Sequence, residues 1–428
     1  MIPPPHNPLA PTTLPHMPAT PEATPTIDLR TRRRALAAIA LATLGGLSVW
    51  FSTNAVADAL ALDLGFSDGN VAWLTIAVQF GFVAGTLVSA LANLTERINE
   101  RRLFALAALL AAAANLAPLG SDSFPLWLLA RFATGAFLGG VYPPAMHVVA
   151  GWYRAGRGLA LGIVVGALTL GSGSPHLLRS VMSDDWRLAI AAASVLTVAG
   201  AAVMWWAVRD GPFRTPPAEV RPREFWTAVS GRGPLLALGG YLGHMWELYA
   251  MWAWLPVFLA EVYEDVDVPA LPLAAASLAG FGVFALGAAS CVVAGAWAER
   301  YGRTLVTSLA MALSGAMALL IGFVPETVLL VTIVAALWSA TVVADSAQFS
   351  TAMTELADER YRGSALALQT GSGFLLTAIT IRAVPILEEH WGWGIAFALL
   401  ALGPALGVAS MLTLRRSPES LRLAGGRR

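Results

Sequence analysis

Apolar runs of roughly 20 residues, separated by short polar stretches, recur along the whole of this chain. That is the length a helix needs to cross about 30 Å of hydrocarbon. The runs predict membrane-spanning helices near 34–58, 70–93, 102–120, 125–150, 157–180, 186–208, 234–260, 271–297, 304–323, 327–353, 363–386 and 391–414, numbered here as spans 1 to 12. One run breaks its own pattern. Gly240–Pro256, GYLGHMWELYAMWAWLP, is too apolar for a water-facing surface yet carries His244 and Glu247 at its centre. At helical pitch Tyr241, His244, Glu247 and Met251 share one face. A carboxyl group at mid-bilayer costs roughly 2.5–3.5 kcal/mol on insertion scales, so it should face protein or a wet cavity.

Composition narrows the class. The 428 residues are 57% hydrophobic and 13% charged, with mean hydropathy +0.65, beyond the range of water-soluble domains. There is no lysine, so neither a P-loop nor a Schiff-base mechanism is available. The one cysteine, Cys291, permits no internal disulfide and reads as a small buried hydrophobe. No H-E-x-x-H, cysteine pair or histidine cluster suggests a metal site, and no enzyme constellation is visible. Neither cofactor nor nucleic-acid partner is expected.

The arginines orient the spans. Of 27, 23 lie in the tails and in the loops that follow even-numbered spans. The opposite loops carry Asp63, Asp68, Asp122, Glu261, Glu264, Asp265 and Asp267 instead. Arginine-rich loops stay in the cytoplasm, which predicts a multi-pass protein of a bacterial inner (cytoplasmic) membrane with both termini inside. Residues 1–29 contain nine prolines and read as a disordered cytoplasmic tail. Internal repetition divides the rest. RGLALG at Arg157–Gly162 matches RGSALA at Arg362–Ala367, and the same offset of 205 brings Trp186 onto Trp391. TERINER at Thr95–Arg101 matches AERYGRT at Ala298–Thr304, and a shift of 195 lays Gly45–Val56 over Gly240–Met251. The expected organisation is a six-helix bundle over 30–208, a cytoplasmic linker over 209–233, a second bundle over 234–416 and a cytoplasmic tail over 417–428. Parallel repeats of this kind are the plan of secondary transporters.

Several motifs resemble those of the major facilitator superfamily. Its G-x-x-x-D-R-x-G-R-R loop has its better copy between spans 8 and 9, as Gly295, Glu299, Arg300, Gly302 and Arg303. The copy between spans 2 and 3 reads Ala92, Glu96, Arg97, Asn99, Glu100 and Arg101, with asparagine expected to take the left-handed turn of the family's glycine. Glu100 replaces an arginine there, which departs from the family's charge clamp. Span 4 carries R-x-x-x-G-x-x-x-G as Arg131, Gly135 and Gly139, and the glycines of span 5 resemble the family's glycine-rich fifth helix. The texture is nearest the nitrate/nitrite-porter branch, but the arginines which that branch keeps in spans 2 and 8 and the asparagines of spans 5 and 11 are missing.

The resemblance implies an all-α polytopic membrane protein: twelve transmembrane helices in two six-helix pseudo-repeats around a central cavity. It also implies that spans 1, 4, 7 and 10 line that cavity. A substrate and proton pathway is then expected from Glu247, Asp345, His244, Arg131, Tyr241, Gln348, Asn54, Trp50, Tyr142 and Trp246. Gating is expected from Glu96, Arg97, Arg101, Glu299, Arg300 and Arg303. The implied function is secondary-active, proton-coupled transport of a small organic or inorganic anion by a monomer in the lipid bilayer. A multidrug or metabolite efflux antiporter, or a transport-inactive receptor of the same fold, are the alternatives.

Overall fold

The computed structural model describes residues 28–428 apart from 93, 154–155, 183–184, 214–220, 265–271 and 325–326. All but the last two residues of the proline-rich tail therefore lie outside the described residues. Everything regular among the described residues is helical. Eight stretches among the described residues are long and apolar enough to cross a membrane. One of them, Arg362–Arg416, is 55 residues long. It turns back at Gly392, whose φ of 74° suits glycine, and so supplies both span 11 and span 12. Spans 1, 3 and 7 complete the twelve as Leu29–Gly46 with Ala57–Leu64, Glu100–Leu116 and Arg232–Glu264.

Three spans are broken over three or more residues, and span 12 is interrupted at the single residue Ala401. Span 1 unwinds between Gly46 and Asn54. Span 4 is Phe124–Leu138 followed by Tyr142–Ala150. Span 10 is Val328–Val342 followed by Ser346–Leu356. Span 4 has a local cause, since Pro143 removes the N–H that would bond residue 139 and its ring clashes with that carbonyl. Span 10 contains no proline, and its break falls at Val343–Asp345.

Glycines set the packing of the pseudo-repeats. A Cβ on Gly45 would lie 2.6 Å from the Leu196 carbonyl oxygen, locking span 1 onto span 6, Trp186–Ala202. A Cβ on Gly243 would lie 2.4 Å from the Gly403 carbonyl oxygen, locking span 7 onto span 12 in the same way. Caps repeat as well: Trp186 Nε1 donates to Asp63 at 2.7 Å, and Trp393 Nε1 donates to Glu261 at 2.7 Å. These contacts make Gly45 equivalent to Gly243, and Trp186 equivalent to Trp393. At these contacts the register is three residues from the 195 shift and two from the 205 shift, and Trp391 is exposed, whereas the 205 shift of RGLALG onto RGSALA holds at Arg157 and Arg362, which both open their helices. Span 5, Arg157–Val181, lies along span 8, Pro272–Tyr301, through small residues. A Cβ on Gly162 would meet the Cys291 carbonyl oxygen at 3.0 Å, and one on Gly166 the Ala288 carbonyl oxygen at 2.8 Å. Span 2, Asp68–Leu91, packs on span 11.

Candidate functional site

A cavity of about 50 Å³ lies between spans 4, 5, 7, 10 and 11. Its aromatic wall is Tyr142, Tyr241, Tyr249, Trp252 and Phe374, and its polar groups include Thr169, Ser346, Ser350 and Thr370. Above it, aromatic rings from six spans interlock. Trp50 meets Phe82 at 5.1 Å, Phe374 at 5.7 Å and Tyr249 at 5.9 Å between ring centroids. Trp252 continues the cluster to Phe284 at 5.1 Å, and Phe284 stacks on His176 at 5.7 Å. Offset and tilted rings at such distances are favourable beyond their buried area. The plug joins spans 1, 2 and 5 to spans 7, 8 and 11, so the cavity is closed on the side away from the chain ends.

Beside the cavity stands an ionisable pair. His244 Nδ1 is 2.9 Å from Asp345 Oδ1, and both side chains are 1% exposed. Asp345 sits at the break of span 10, between the cavity residues Val343 and Ser346. His244 is flanked on span 7 by the cavity residues Tyr241 and Met245. Nε2 of His244 and Oδ2 of Asp345 have no hydrogen-bond partner among the described residues. Buried polar atoms are rarely left unmatched, so an orphaned donor–acceptor set next to a cavity marks a place for water, proton or solute.

Of the ten pathway residues expected from sequence, the structure brings three to the cavity or its plug, Tyr241, Tyr142 and Trp50, and sets two beside it, His244 and Asp345. The other five go elsewhere. Glu247 turns away from the cavity into the gap between spans 7, 9 and 10, where it accepts from Ser314 Oγ at 2.8 Å and Trp338 Nε1 at 2.6 Å. Trp246 donates to the Leu399 carbonyl oxygen at 3.1 Å, on the span 12 side. Gln348 accepts from Arg303 Nη1 at 2.8 Å. Asn54 accepts from Thr75 Oγ1 at 3.0 Å, tying span 1 to span 2. Arg131 does not reach for the membrane surface; it is 1% exposed. Its guanidinium donates to the Val49 carbonyl oxygen at 3.0 Å, the Asn115 Oδ1 at 2.8 Å, and the Trp50 carbonyl oxygen. Those carbonyls belong to the unwound part of span 1, where they have lost their helical donors.

The gating set also sorts itself. Arg303 is buried and forks onto Glu355 at 2.8 and 2.7 Å, with Glu299 at 3.5 Å. Arg300 is exposed over the Tyr301 ring, so Arg303 rather than Arg300 is the centre of this network. The C-terminal stretch folds against it: Ala424 N donates to Glu355 at 3.1 Å, and Thr304 Oγ1 to the Arg428 carbonyl oxygen at 2.9 Å. Gly302 takes φ 95°, the conformation that glycine permits. Asn99 corrects the expectation for the other copy: its φ is −55°, and its side chain caps Glu100–Leu116 by accepting from Arg101 N at 3.0 Å. Arg101 pairs with Asp210 at 2.8 Å, and Glu100 is buried 3.6 Å from His147. Arg97 is exposed, and the side chain of Glu96 lies outside the described residues.

Sequence reading missed Tyr249, Trp252 and Phe374, which form most of the cavity's ceiling. The only signal was the unusual aromatic density of span 7.

Comparison with known proteins follows the geometry. The model of the family described as Major Facilitator Superfamily matches residues 38–290. That described as Sugar (and other) transporter matches residues 242–428. Over 127 residues the chain is 28% identical to solute carrier family 22 member 7 of Sus scrofa, covering 29% of this chain and 23% of that relative. Among solved structures, the fold is similar to that of the major facilitator superfamily proton:xylose symporter XylE bound to 6-bromo-6-deoxy-D-glucose. The TM-score is 0.66 at 13% identity, covering 89% of this chain and 96% of that one.

Proposed function

The chain belongs to the major facilitator superfamily, and on that premise we propose a proton-coupled carrier of a small organic solute in which His244 and Asp345 hold the coupled proton. Membership of this family makes it a multi-pass membrane protein and a secondary transporter of a small molecule. One observation carries the finer reading. A buried histidine–carboxylate pair, 2.9 Å apart, stands at a helix break beside the cavity between the spans, with His244 Nε2 and both Asp345 oxygens lacking a hydrogen bond among the described residues. Histidine is the side chain whose charge changes most readily near neutral pH. The solute enters from one side, the pair gains or loses its proton as the walls rock about the span 5–span 8 seam, and the solute leaves on the other. That XylE is named a proton symporter supports proton coupling as a property of this fold. The cavity wall contains no arginine among the described residues, so it offers an anion only neutral donors, its hydroxyls and the Trp252 indole N–H; an aromatic or apolar body with a few polar groups suits it better. The arginine distribution favours an inner membrane with both chain ends cytoplasmic, and the enclosed site favours a carrier, acting as a monomer, over an enzyme.

The test uses proteoliposomes, an imposed pH gradient and a metabolite panel read by mass spectrometry. Wild type should accumulate at least one solute only while the gradient lasts. Asp345→Asn and His244→Gln should lose gradient-driven accumulation and keep exchange of that solute. Wild-type gradient dependence in both variants removes the pair from the mechanism.

A further inference from the structure

Resting on that carrier reading, we infer that the solute is an organic monocation taken up in exchange for the proton held by His244 and Asp345. Two independent observations meet at the cavity. The first is its wall: Tyr142, Tyr241, Tyr249, Trp252 and Phe374 contribute aromatic rings from spans 4, 7 and 11, with no basic side chain among the described lining residues. Ring faces attract cations, by roughly 0.5–2 kcal/mol each according to how dry the site is. The second is the placement of Asp345, 1% exposed, with Oδ2 unmatched, and adjacent in sequence to the lining residue Ser346.

The charge balance follows from burial. With one titratable proton on the pair, whichever partner holds it, the region is neutral. A monocation arriving against the rings would leave one net positive charge in a dry interior, which is costly. Release of the shared proton leaves neutral His244 and anionic Asp345, and the entering cation restores neutrality. One positive charge enters and one leaves. The surrounding ionisable groups do not supply an alternative counter-charge. Tyr241 on span 7 and Tyr142 on span 4 are phenols, and Cys291 on span 8 is a thiol donating to the Val343 carbonyl oxygen at 3.3 Å. Glu247 on span 7 is committed to Ser314 and Trp338, and Arg303 on span 9 to Glu355, Glu299 and Gln348.

The probe is benzyltrimethylammonium, compared with neutral benzyl alcohol and anionic benzoate on the purified full chain. Benzyltrimethylammonium should raise thermal stability in a saturable way, and more so at higher pH. In weakly buffered solution it should release about one proton for each cation bound. Trp252→Leu should weaken it about tenfold while changing benzyl alcohol much less. Asp345→Asn should remove both binding and proton release. If Asp345→Asn fails to fold, the Trp252→Leu comparison and the wild-type proton count still decide. Stabilisation by benzoate or benzyl alcohol alone overturns the charge assignment, as does cation binding without proton release, or no response to any of the three. None of these outcomes touches the carrier reading, which stands or falls on gradient-driven transport in the Asp345→Asn and His244→Gln variants.

Discussion

Glu247 shows how a buried acid acquires its role from its neighbours rather than from its depth. Its two oxygens accept from an indole N–H and a hydroxyl on spans 9 and 10, so it staples three helices behind the cavity wall. Trp338 can only donate, whereas a serine hydroxyl can donate or accept. Glu247→Gln can therefore keep both bonds, its carbonyl facing Trp338 and its amide facing Ser314. This variant should unfold within about 1 kcal/mol of wild type and retain pH-gradient dependence. Glu247→Leu strands both donors and should cost roughly 1–3 kcal/mol for each, read by thermal unfolding in detergent. Loss of gradient dependence in a stable Glu247→Gln protein would return the residue to the proton path. The sequence showed that Glu247 and His244 lie at mid-depth but not which way either points. Every side of span 7 is buried there, against the cavity on one flank and spans 9, 10 and 12 on the others, so no polar face breaks the tie.

At the scale of elements, two broken helices are managed differently. The unwound part of span 1 turns its carbonyls towards span 4, and Arg131 supplies the donors. The guanidinium fork suits this because it presents several N–H groups in fixed directions. Arg131→Met leaves those oxygens and Asn115 Oδ1 without it, and should lower stability by at least about 3 kcal/mol. Arg131→Lys should recover only part of that, since an ammonium cannot span both carbonyls. Equal unfolding temperatures for wild type and Arg131→Met would deny the guanidinium this role. Span 4's break was legible in Pro143 and Pro144, although the whole run was expected as one helix. The breaks in spans 1 and 10 were not legible, because the residues that stabilise them lie on other spans. The repeat register of spans 1 and 7 slipped for a related reason: glycine–glycine contacts between spans 1 and 6 and between 7 and 12 fix their equivalence, and the local sequence match does not report it, while that between spans 5 and 11 holds at their helix starts.

At the scale of the whole molecule, spans 5 and 8 form a closely packed seam. A Cβ on Gly166 would press on the Ala288 carbonyl oxygen at 2.8 Å, whereas nothing lies within 4 Å of one on Gly282, also on span 8. Gly166→Ala should therefore lower the unfolding temperature, with overpacking worth about 1–3 kcal/mol. Gly282→Ala should leave it unchanged or raise it, since alanine is the better helix former. Equal effects of the two would mean the seam tolerates separation. Twelve spans were readable because bilayer thickness imposes one run length on all of them. The aromatic plug was not, because its rings come from six spans far apart in the chain. One consequence remains in the break of span 10. Where the Arg131 guanidinium grips the frayed part of span 1, the Val343 carbonyl oxygen accepts from Ser346 N at 3.0 Å within its own turn and from the Cys291 thiol, a weak donor, at 3.3 Å. The break in span 10 is thus held by its own turn and one weak donor from span 8, whereas that in span 1 is held by a charged side chain from span 4. Under the proposed coupling, span 10 links Asp345 at its break to Glu355 and its grip on Arg303 at its far end.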